Sequence, residues 1–180
     1  MEWRCEAHGF MACSLDGFIA GPEGDLEWLQ CVAQPDEDYG FGRFMSGMDA
    51  LLMGRNTFEK VLGFSPWPYT IPVYVATHRP LPMAENVAGA ISGSPSHMLQ
   101  QLQAQGVRSL YVDGGQLLSQ FLRAGLLSRL TISRVPVMLG SGIPLFDGQQ
   151  GASQWHLEQS QSFASGLVQD TYRLRGASAG

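Results

Sequence analysis

The chain has 180 residues, of which 16 are acidic and 11 basic, and 44% of its residues are hydrophobic. This length suits one globular domain, and the apolar content excludes intrinsic disorder. The net charge of -5 without a basic tract argues against nucleic acid as a partner. No segment suits a membrane span, and the three cysteines form no CxxC pair. We therefore expect a cytoplasmic domain over residues 1–175, without a metal site, followed by a flexible tail over 176–180.

The first half of the chain predicts short buried strands that end in polar turns. Continuous apolar runs of four or five residues are typical of strands buried on both faces of a sheet. The acids that follow Pro35 favour the first turn of a helix. The predicted elements are a strand ending at Phe10–Ser14, a helix over Pro35–Gly47, a strand over Ala50–Met53, a helix from Asn56 or Thr57 to about Leu62, and strands over Val73–Ala76 and Val87–Ile91.

The second half continues the alternation of helices and strands and then changes to a hairpin. Ser96 is the predicted N-cap of a helix that ends at Gly106. The later elements are a strand over Ser109–Val112, a helix over Gly115–Ala124, a strand over Leu130–Val135, and a terminal hairpin of Trp155–Gln161 and Leu167–Leu174. This order predicts an α/β fold with a mixed, mostly parallel sheet, helices on both faces and antiparallel strands at one edge.

Three turns at the predicted carboxyl ends of strands carry polar residues, and ligands of such sheets bind at this edge. In the first turn, Gly54 permits a close backbone approach while Arg55 and Thr57 open a helix. A guanidinium, a hydroxyl and free amides together favour an anion. The alternative is that Arg55 only caps a surface helix.

The second turn contains Asp113, Gly114 and Gly115 between a strand and a helix. Paired glycines expose consecutive amides that can approach a pyrophosphate, although a tight turn with positive φ would need glycine as well. Asp113 either caps the helix or points into the cleft.

The third turn places Thr77 and Arg79 after a buried strand, where they suit a phosphate monoester such as the 2′-phosphate of NADP. A polar exit from the sheet, stopped by Pro80, explains the same residues without a ligand. Together, the three turns indicate an elongated ligand rich in phosphate.

Four motifs in order carry a family resemblance across about residues 8–174. They are Ser14-Leu15-Asp16-Gly17-x-Ile19-Ala20, Met53-Gly54-Arg55-x-Thr57, Val112-Asp113-Gly114-Gly115, and Pro136-Val137-x-Leu139-Gly140-x-Gly142-x-Pro144-Leu145-Phe146. The pattern resembles the dihydrofolate reductase-like superfamily. Within it, the chain is most similar to the C-terminal reductase domain of the bacterial riboflavin-biosynthesis deaminase-reductase and its stand-alone relatives.

The resemblance implies a three-layer αβα fold that binds NADPH in an extended form, and a homodimer. It implies that Ala12 and Ile19 line the nicotinamide and that Ser14 and Trp28 contact the substrate. The positions that it assigns to the phosphate groups are Gly54, Arg55 and Thr57, Thr77 with Arg79, and Gly114 and Gly115 with the amides of Gln116 and Leu117.

The chain departs from the family at positions that contact substrate. Ala33 stands where folate reductases carry a carboxylate, which leaves Asp36 or Asp38 as substitutes only if the local helix shifts. Phe18 replaces the lysine of the riboflavin reductases, and Asp113 replaces a glutamate. The cofactor half of the pattern therefore matches better than the substrate half.

These observations predict an NADPH-dependent reductase that transfers hydride to a small heterocyclic, carbonyl or imine substrate. One candidate substrate is 5-amino-6-(5-phosphoribosylamino)uracil. Asp16 and Asp113 are the predicted catalytic residues, as polar groups that face the substrate, and an Asx turn is the alternative role of Asp16. The alternative function, of a different class, is an NADP(H)-binding sensory or sequestering protein without turnover.

Overall fold

The computed structural model describes residues 4–82 and 87–176, and it contains a central sheet between two layers of helices. Of the predicted flexible tail, residues 177–180 lie outside the described residues. The strands are β1 (Glu6–Cys13), β2 (Phe18–Ala20), β3 (Ala50–Gly54), β4 (Val73–Ala76), β5 (Val87–Ile91), β6 (Ser109–Asp113), β7 (Leu127–Arg134), β8 (Ile143–Pro144), β9 (Trp155–Ser162) and β10 (Val168–Leu174). The helices are α1 (Phe41–Ser46), α2 (Arg55–Val61), α3 (Pro95–Ala104) and α4 (Gly115–Arg123).

The main sheet has eight strands in the order β5-β4-β3-β6-β1-β7-β10-β9. The first six are parallel, whereas β10 is antiparallel to both β7 and β9. The predicted mixed, mostly parallel sheet with a terminal antiparallel hairpin is therefore confirmed. Because β1, β3, β4, β6 and β7 run in the same direction, the turns that follow them gather at one edge.

Strand β3 illustrates why the sheet is covered on both faces. Its residues Ala50 to Met53 are fully buried, and successive side chains point to opposite faces. Leu51 and Met53 pack with Phe58 of α2 and with the aromatic residues of α1. Leu52 packs in a second cluster with residues of α3 and α4. Helices α1 and α2 therefore cover one face of the sheet, and helices α3 and α4 cover the other.

The predicted helix over Pro35–Gly47 is wrong in its first half. Tyr39 and Gly40 have positive φ values of 53° and 80°, which interrupt a right-handed helix, so only Phe41–Ser46 is helical. The side chain of Asp38 accepts the amides of Gly40 and Gly42 at 2.9 and 3.0 Å. A 3₁₀ helix over Glu27–Val32, which the sequence analysis did not predict, precedes this segment.

The N-cap predicted for α3 is also displaced by two residues. The cap is Ser94, whose hydroxyl accepts the amide of His97 at 3.2 Å, and not Ser96. Pro95 occupies the first helical position, where its missing N–H costs no hydrogen bond. None of the helices in the described part of the chain is long and apolar enough to cross a membrane.

Candidate cofactor and substrate site

Two cavities open where the parallel strands end, and the last residues of β1 lie between them. The larger cavity measures about 570 Å³ and includes Met11 in its lining, whereas the smaller measures about 320 Å³ and includes Ala12. Adjacent strand residues point to opposite faces, so one strand end contributes to both cavities. Ala12, predicted to line the nicotinamide, therefore lines the smaller cavity.

The first predicted turn lies in the larger cavity. Gly54, Arg55 and Thr57 all line it, at the junction of β3 and α2. The Arg55 Nε donates to Glu59 Oε1 at 2.8 Å and its Nη1 donates to the Pro80 carbonyl at 3.0 Å. With 19% of its side chain exposed, Arg55 is held in place at the cavity wall by these two acceptors.

The second predicted turn packs directly against the first. Gly114 and Gly115 line the larger cavity, together with Gln116 and Leu117. Gly114 has a φ of 104°, and a β-carbon there would lie 2.8 Å from the Thr57 hydroxyl oxygen. A β-carbon on Gly115 would lie 2.5 Å from the Ile19 Cδ1. These glycines are needed for close packing around the first turns of α2 and α4.

Of the two residues predicted in the third turn, one lines the larger cavity and the other lies at the surface. Thr77 lines the larger cavity, and its side-chain oxygen accepts the amide of Arg79 at 3.2 Å. The Arg79 side chain is 66% exposed, lies 3.9 Å from Glu59, and is absent from the cavity lining as far as the chain is described. His78, which the sequence analysis did not select, lines the cavity instead.

The larger cavity also includes residues that the sequence analysis missed. Lys60 follows Thr57 by one helical turn of α2, so its ammonium group adds a positive charge to the Arg55 side of the cavity. Its position as the only lysine, three residues after Thr57 on a predicted helix, was a usable signal. Others that were missed are Gly24, Leu26, Asn56, Ser92, Gly93, Met98, Gln120 and Ile143.

The smaller cavity is mostly apolar and lies beside β1 and the 3₁₀ helix. Its polar lining comes from Ser133 and from the segment that includes Gln34, Glu37 and Asp38. Ala33 lines it as well, at the position where folate reductases carry a carboxylate. Asp38 is part of the lining, in a segment where the predicted helix does not form, while Asp36 is absent from the described lining.

Asp16 connects two loops. Its carboxylate accepts the Ser14 hydroxyl at 2.6 Å and the amides of Leu139 and Gly140 at 3.1 and 2.8 Å. The hydrogen bond from Ser14, with those from the two amides, lowers the pKa of Asp16 from 3.8 to about 2. Ser14 is fully buried and also accepts the Phe18 amide at 2.9 Å. Neither residue is among the described lining of the two cavities, so their predicted contacts with substrate stay a prediction.

Asp113 ends β6 on the same face of the sheet as Tyr111. Burial raises the pKa of Asp113, and hydrogen bonds from the Gly114 amide and the Tyr111 hydroxyl partly oppose that increase. The Tyr111 hydroxyl also lies 3.5 Å from the Phe10 carbonyl, at the limit of a hydrogen bond. Burial and the nearby Asp113 raise the pKa of Tyr69 to about 12.

Trp28 is not part of the described lining of either cavity, but it packs behind residues that line the smaller one. It packs in a cluster with Val32, Val135 and Leu167, and its buried Nε1 has no hydrogen-bond partner among the described residues. The predicted contact between Trp28 and substrate stays untested. Among the described residues, no group of three or more His, Cys, Asp or Glu side chains could hold a metal ion.

Comparisons with known proteins identify the family and the fold of this chain. Residues 9–169 match the model of the RibD C-terminal domain. The structure of a Shewanella sp. PV-4 protein named for riboflavin biosynthesis is 34% identical, with a TM-score of 0.86 over 94% of this chain and 99% of the other.

Two more distant structures share the fold. A Thermotoga maritima diaminohydroxyphosphoribosylaminopyrimidine deaminase/5-amino-6-(5-phosphoribosylamino)uracil reductase is 17% identical, with a TM-score of 0.74 over 95% of this chain and 57% of that one. Dihydrofolate reductase from Enterococcus faecalis, complexed with NADP(H), is 17% identical, with a TM-score of 0.63 over 97% of this chain and 99% of the other. The predicted dihydrofolate reductase-like fold is confirmed, and the chain belongs to the RibD C-terminal domain family, which is a family of reductases.

Proposed function

We propose that this chain is an NADPH-dependent reductase that transfers hydride to a small heterocyclic, carbonyl or imine substrate. The observation that carries the proposal is the convergence of Arg55, Thr57 and Lys60 with the Gly114–Gly115 turn in one cavity at the carboxyl edge of the sheet. Cationic side chains and free backbone amides in one cleft favour a ligand with several phosphate groups.

The Gly114–Gly115 turn fits the pyrophosphate of a dinucleotide. Helix α4 begins at Gly115, so its first amides have no partner within the helix, and the positive end of the helix dipole lies at the cavity. A side chain on Gly114 would occupy the space beside Thr57. The turn thus allows a phosphate group to approach the backbone closely.

The residues that follow β4 in the larger cavity support a preference for NADPH over NADH. Thr77 and His78 lie after β4, on the α2 side of the cavity that also contains Arg55 and Lys60. The Thr77 hydroxyl and the His78 ring can donate hydrogen bonds to a 2′-phosphate. The exposed Arg79 next to them adds positive charge at the cavity mouth.

When bound, the nicotinamide supplies the hydride, and the protein holds the nicotinamide and the substrate in position for its transfer. Near the end of β1, Met11 lines the larger cavity and the next residue, Ala12, lines the smaller one. The small side chain of Ala12 allows a substrate ring in the smaller cavity to approach the strand. Ile19 packs against the Gly115 turn and limits the space around the bound cofactor. Asp113 is outside the described lining of both cavities but ends β6 directly before the Gly114–Gly115 turn, and we assign to it a proton held near this strand end, in line with its raised pKa.

The proposal is tested by titrating the protein with NADPH and with NADH and following nucleotide fluorescence. We expect tighter binding of NADPH, and for Arg55→Ala a loss of about tenfold or more in NADPH affinity, since a charge-assisted contact to phosphate is removed. The matched control is Arg43→Ala, on the exposed side of α1, which should bind as the wild type does. Absence of NADPH binding, or unchanged binding by Arg55→Ala, would contradict the proposal.

A second candidate is an NADP(H)-binding protein without turnover. It is favoured by one observation, namely that the Ser14 and Asp16 side chains are engaged with each other and with the loop at Leu139 and Gly140. Steady oxidation of NADPH with any member of a panel of carbonyl, pterin and pyrimidine compounds would exclude this candidate. Tight binding without oxidation across the panel would support it.

A further inference from the structure

The smaller cavity has the walls of a slot for a flat ring. The rings of Phe10 and Phe41 stand edge to face, with centroids 5.5 Å apart. Aliphatic residues of the 3₁₀ helix and Val135, which follows β7, also line the cavity. The apolar residues that line the cavity are Phe10, Ala12, Leu29, Val32, Ala33, Phe41, Val135 and Leu167. Such walls favour a planar, largely apolar group.

Ser133 gives this slot a fixed hydrogen-bond donor. Its side chain is 3% exposed and its Oγ accepts Gln169 Nε2 at 2.9 Å. The same Nε2 donates to the Tyr39 carbonyl at 2.8 Å, and a carbonyl can only accept, so the amide orientation of Gln169 is determined. Because both Nε2 protons of Gln169 are used, the Ser133 hydroxyl accepts there and keeps its own proton for an acceptor in the cavity.

The rim of the slot is negatively charged. Glu37 and Asp38 line it, and the amides of Gly42 and Gly40 lower the pKa of Asp38, which keeps that carboxylate ionised. Glu37 uses one oxygen to accept the Tyr39 amide at 2.8 Å. Over the described residues, the cavity lining contains no Lys, Arg or His.

The two cavities therefore differ in charge. The larger one contains the cations Arg55 and Lys60, whereas the smaller contains the acids Glu37 and Asp38. A phosphate group beside two carboxylates is repelled. A neutral group with N–H donors, or a cation, is attracted to the same rim.

We propose that the smaller cavity binds a planar substrate ring without a phosphate group. The ring presents a hydrogen-bond acceptor to Ser133 and N–H donors, or a positive charge, to Glu37 and Asp38. This inference rests on the proposed reductase function and narrows its substrate class. It separates this chain from the reductase of Thermotoga maritima, whose named substrate carries a phosphoribosyl group.

The first test measures direct binding by calorimetry to two pyrimidines of similar size. The probes are 5,6-diaminouracil, which is neutral and rich in N–H donors, and orotate, which is anionic. We expect 5,6-diaminouracil to bind about tenfold or more tightly than orotate. Glu37→Gln should reduce that ratio, because the amide can still accept from Tyr39 but carries no charge. The matched control is Glu27→Gln, an exposed acid of the 3₁₀ helix outside the described cavity lining, which should leave the ratio unchanged.

Ser133→Ala gives an independent readout. Both probes carry a carbonyl acceptor, so this variant should weaken the binding of both by a similar factor and leave their ratio intact. Equal or tighter binding of orotate by the wild type would overturn the inference. A ratio unaffected by Glu37→Gln would overturn the role of the acidic rim.

The second test separates this inference from the proposed function. NADPH oxidation is followed with 5-amino-6-(ribosylamino)uracil and with the same compound bearing the 5′-phosphate. We expect kcat/KM to be about tenfold higher without the phosphate. Faster reduction of the phosphorylated compound would overturn the inference while the reductase function stands. Binding of 5,6-diaminouracil together with failure to bind NADPH would contradict the reductase function and leave the ligand class of the cavity supported.

Discussion

The hydroxyl oxygen of Thr57 lies 2.8 Å from the point that a β-carbon on Gly114 would occupy. Thr57 belongs to the turn after β3 and Gly114 to the turn after β6, and these two strands are neighbours in the sheet. Two turns that lie far apart in sequence thus form one continuous wall of the larger cavity. Gly114 also has a φ of 104°, a conformation that side chains rarely adopt.

Gly114→Ala should weaken NADPH binding by about tenfold or more. The new methyl group would displace Thr57 and strain the backbone, at a cost of about 1 to 3 kcal/mol for an unfavourable φ alone. Fluorescence titration with NADPH measures the loss, and a thermal melt separates it from unfolding.

The control for this variant is Gly125→Ala. Gly125 also has a positive φ, of 66°, but a β-carbon there meets no atom within 4 Å and the residue lies at the far end of α4. This variant should lose some thermal stability and bind NADPH as the wild type does. Wild-type affinity in Gly114→Ala would refute the packing argument.

Glu59 should act on the cofactor through Arg55. Glu59→Gln keeps an oxygen that can accept from Arg55 Nε and removes a negative charge near the phosphate site, so NADPH should bind at least as tightly as to the wild type. Glu59→Ala loses the acceptor as well, and should bind NADPH about threefold more weakly than Glu59→Gln. Equal affinities of the two variants would mean that Glu59 does not position Arg55.

The turns of the larger cavity were predictable because each follows a short apolar strand. Gly54, Thr57 and Gly114 stand at the carboxyl ends of strands that the sequence indicates, and parallel strands bring such ends together. The position of Arg55 at the start of a helix leaves two roles open, a phosphate contact or a surface cap, and only the structure places it in the cavity wall. Likewise, Arg79 and His78 are adjacent, and local sequence does not indicate which of them faces the cavity.

Other features depend on contacts between distant segments. The donors to Asp16 are the amides of Leu139 and Gly140, 123 and 124 residues away, and no local pattern indicates them. The placement of Ala12 depends on which face of β1 meets which cavity, and the sequence alternation does not determine this face. Tyr39 breaks a predicted helix with a positive φ that is rare for a non-glycine residue.

Asp16→Asn should loosen the loop that carries Ile19 and Ala20, both of which line the larger cavity. The folded-state pKa of Asp16 is about 2, below its ordinary 3.8, so the ionised group stabilises the fold above pH 3.8. That contribution is lost as the pH falls from 3.8 through 2. The difference in melting temperature between wild type and Asp16→Asn should therefore shrink over this range. Asp36→Asn, at an exposed acid, is the control, and a difference that does not vary with pH would argue against the ionised hydrogen bonds.

His8 should make the protein sensitive to mild acid. Burial, with the charges of Arg129 and Arg173, lowers the pKa of His8 from 6.5 to about 4, although Glu6 and Glu158 oppose this. The folded state thus favours neutral His8, and the stability present above pH 6.5 is lost as the pH falls toward 4, by at most about 3 kcal/mol. His8→Gln should flatten the dependence of the unfolding free energy on pH in this window. His97→Gln, at an exposed histidine, should retain the wild-type slope, and an equal slope in His8→Gln would refute the assignment.

Asp113→Asn should raise the melting temperature at pH 7. Burial raises the pKa of Asp113, so the folded state disfavours its ionised form, even though Gly114 and Tyr111 donate hydrogen bonds to the carboxyl group. A group of this kind stabilises the fold below its ordinary pKa of 3.8 and loses that contribution as the pH rises through the higher folded pKa. The amide of the variant keeps an acceptor oxygen and carries no charge, so its advantage should be greatest at neutral pH and should shrink toward pH 4. Melting curves across this range measure the trend, while single-turnover oxidation of NADPH should be slower in the variant if Asp113 holds the proton. A melting temperature that falls equally at pH 4 and pH 7 would mean that hydrogen bonding, and not the buried charge, governs this residue.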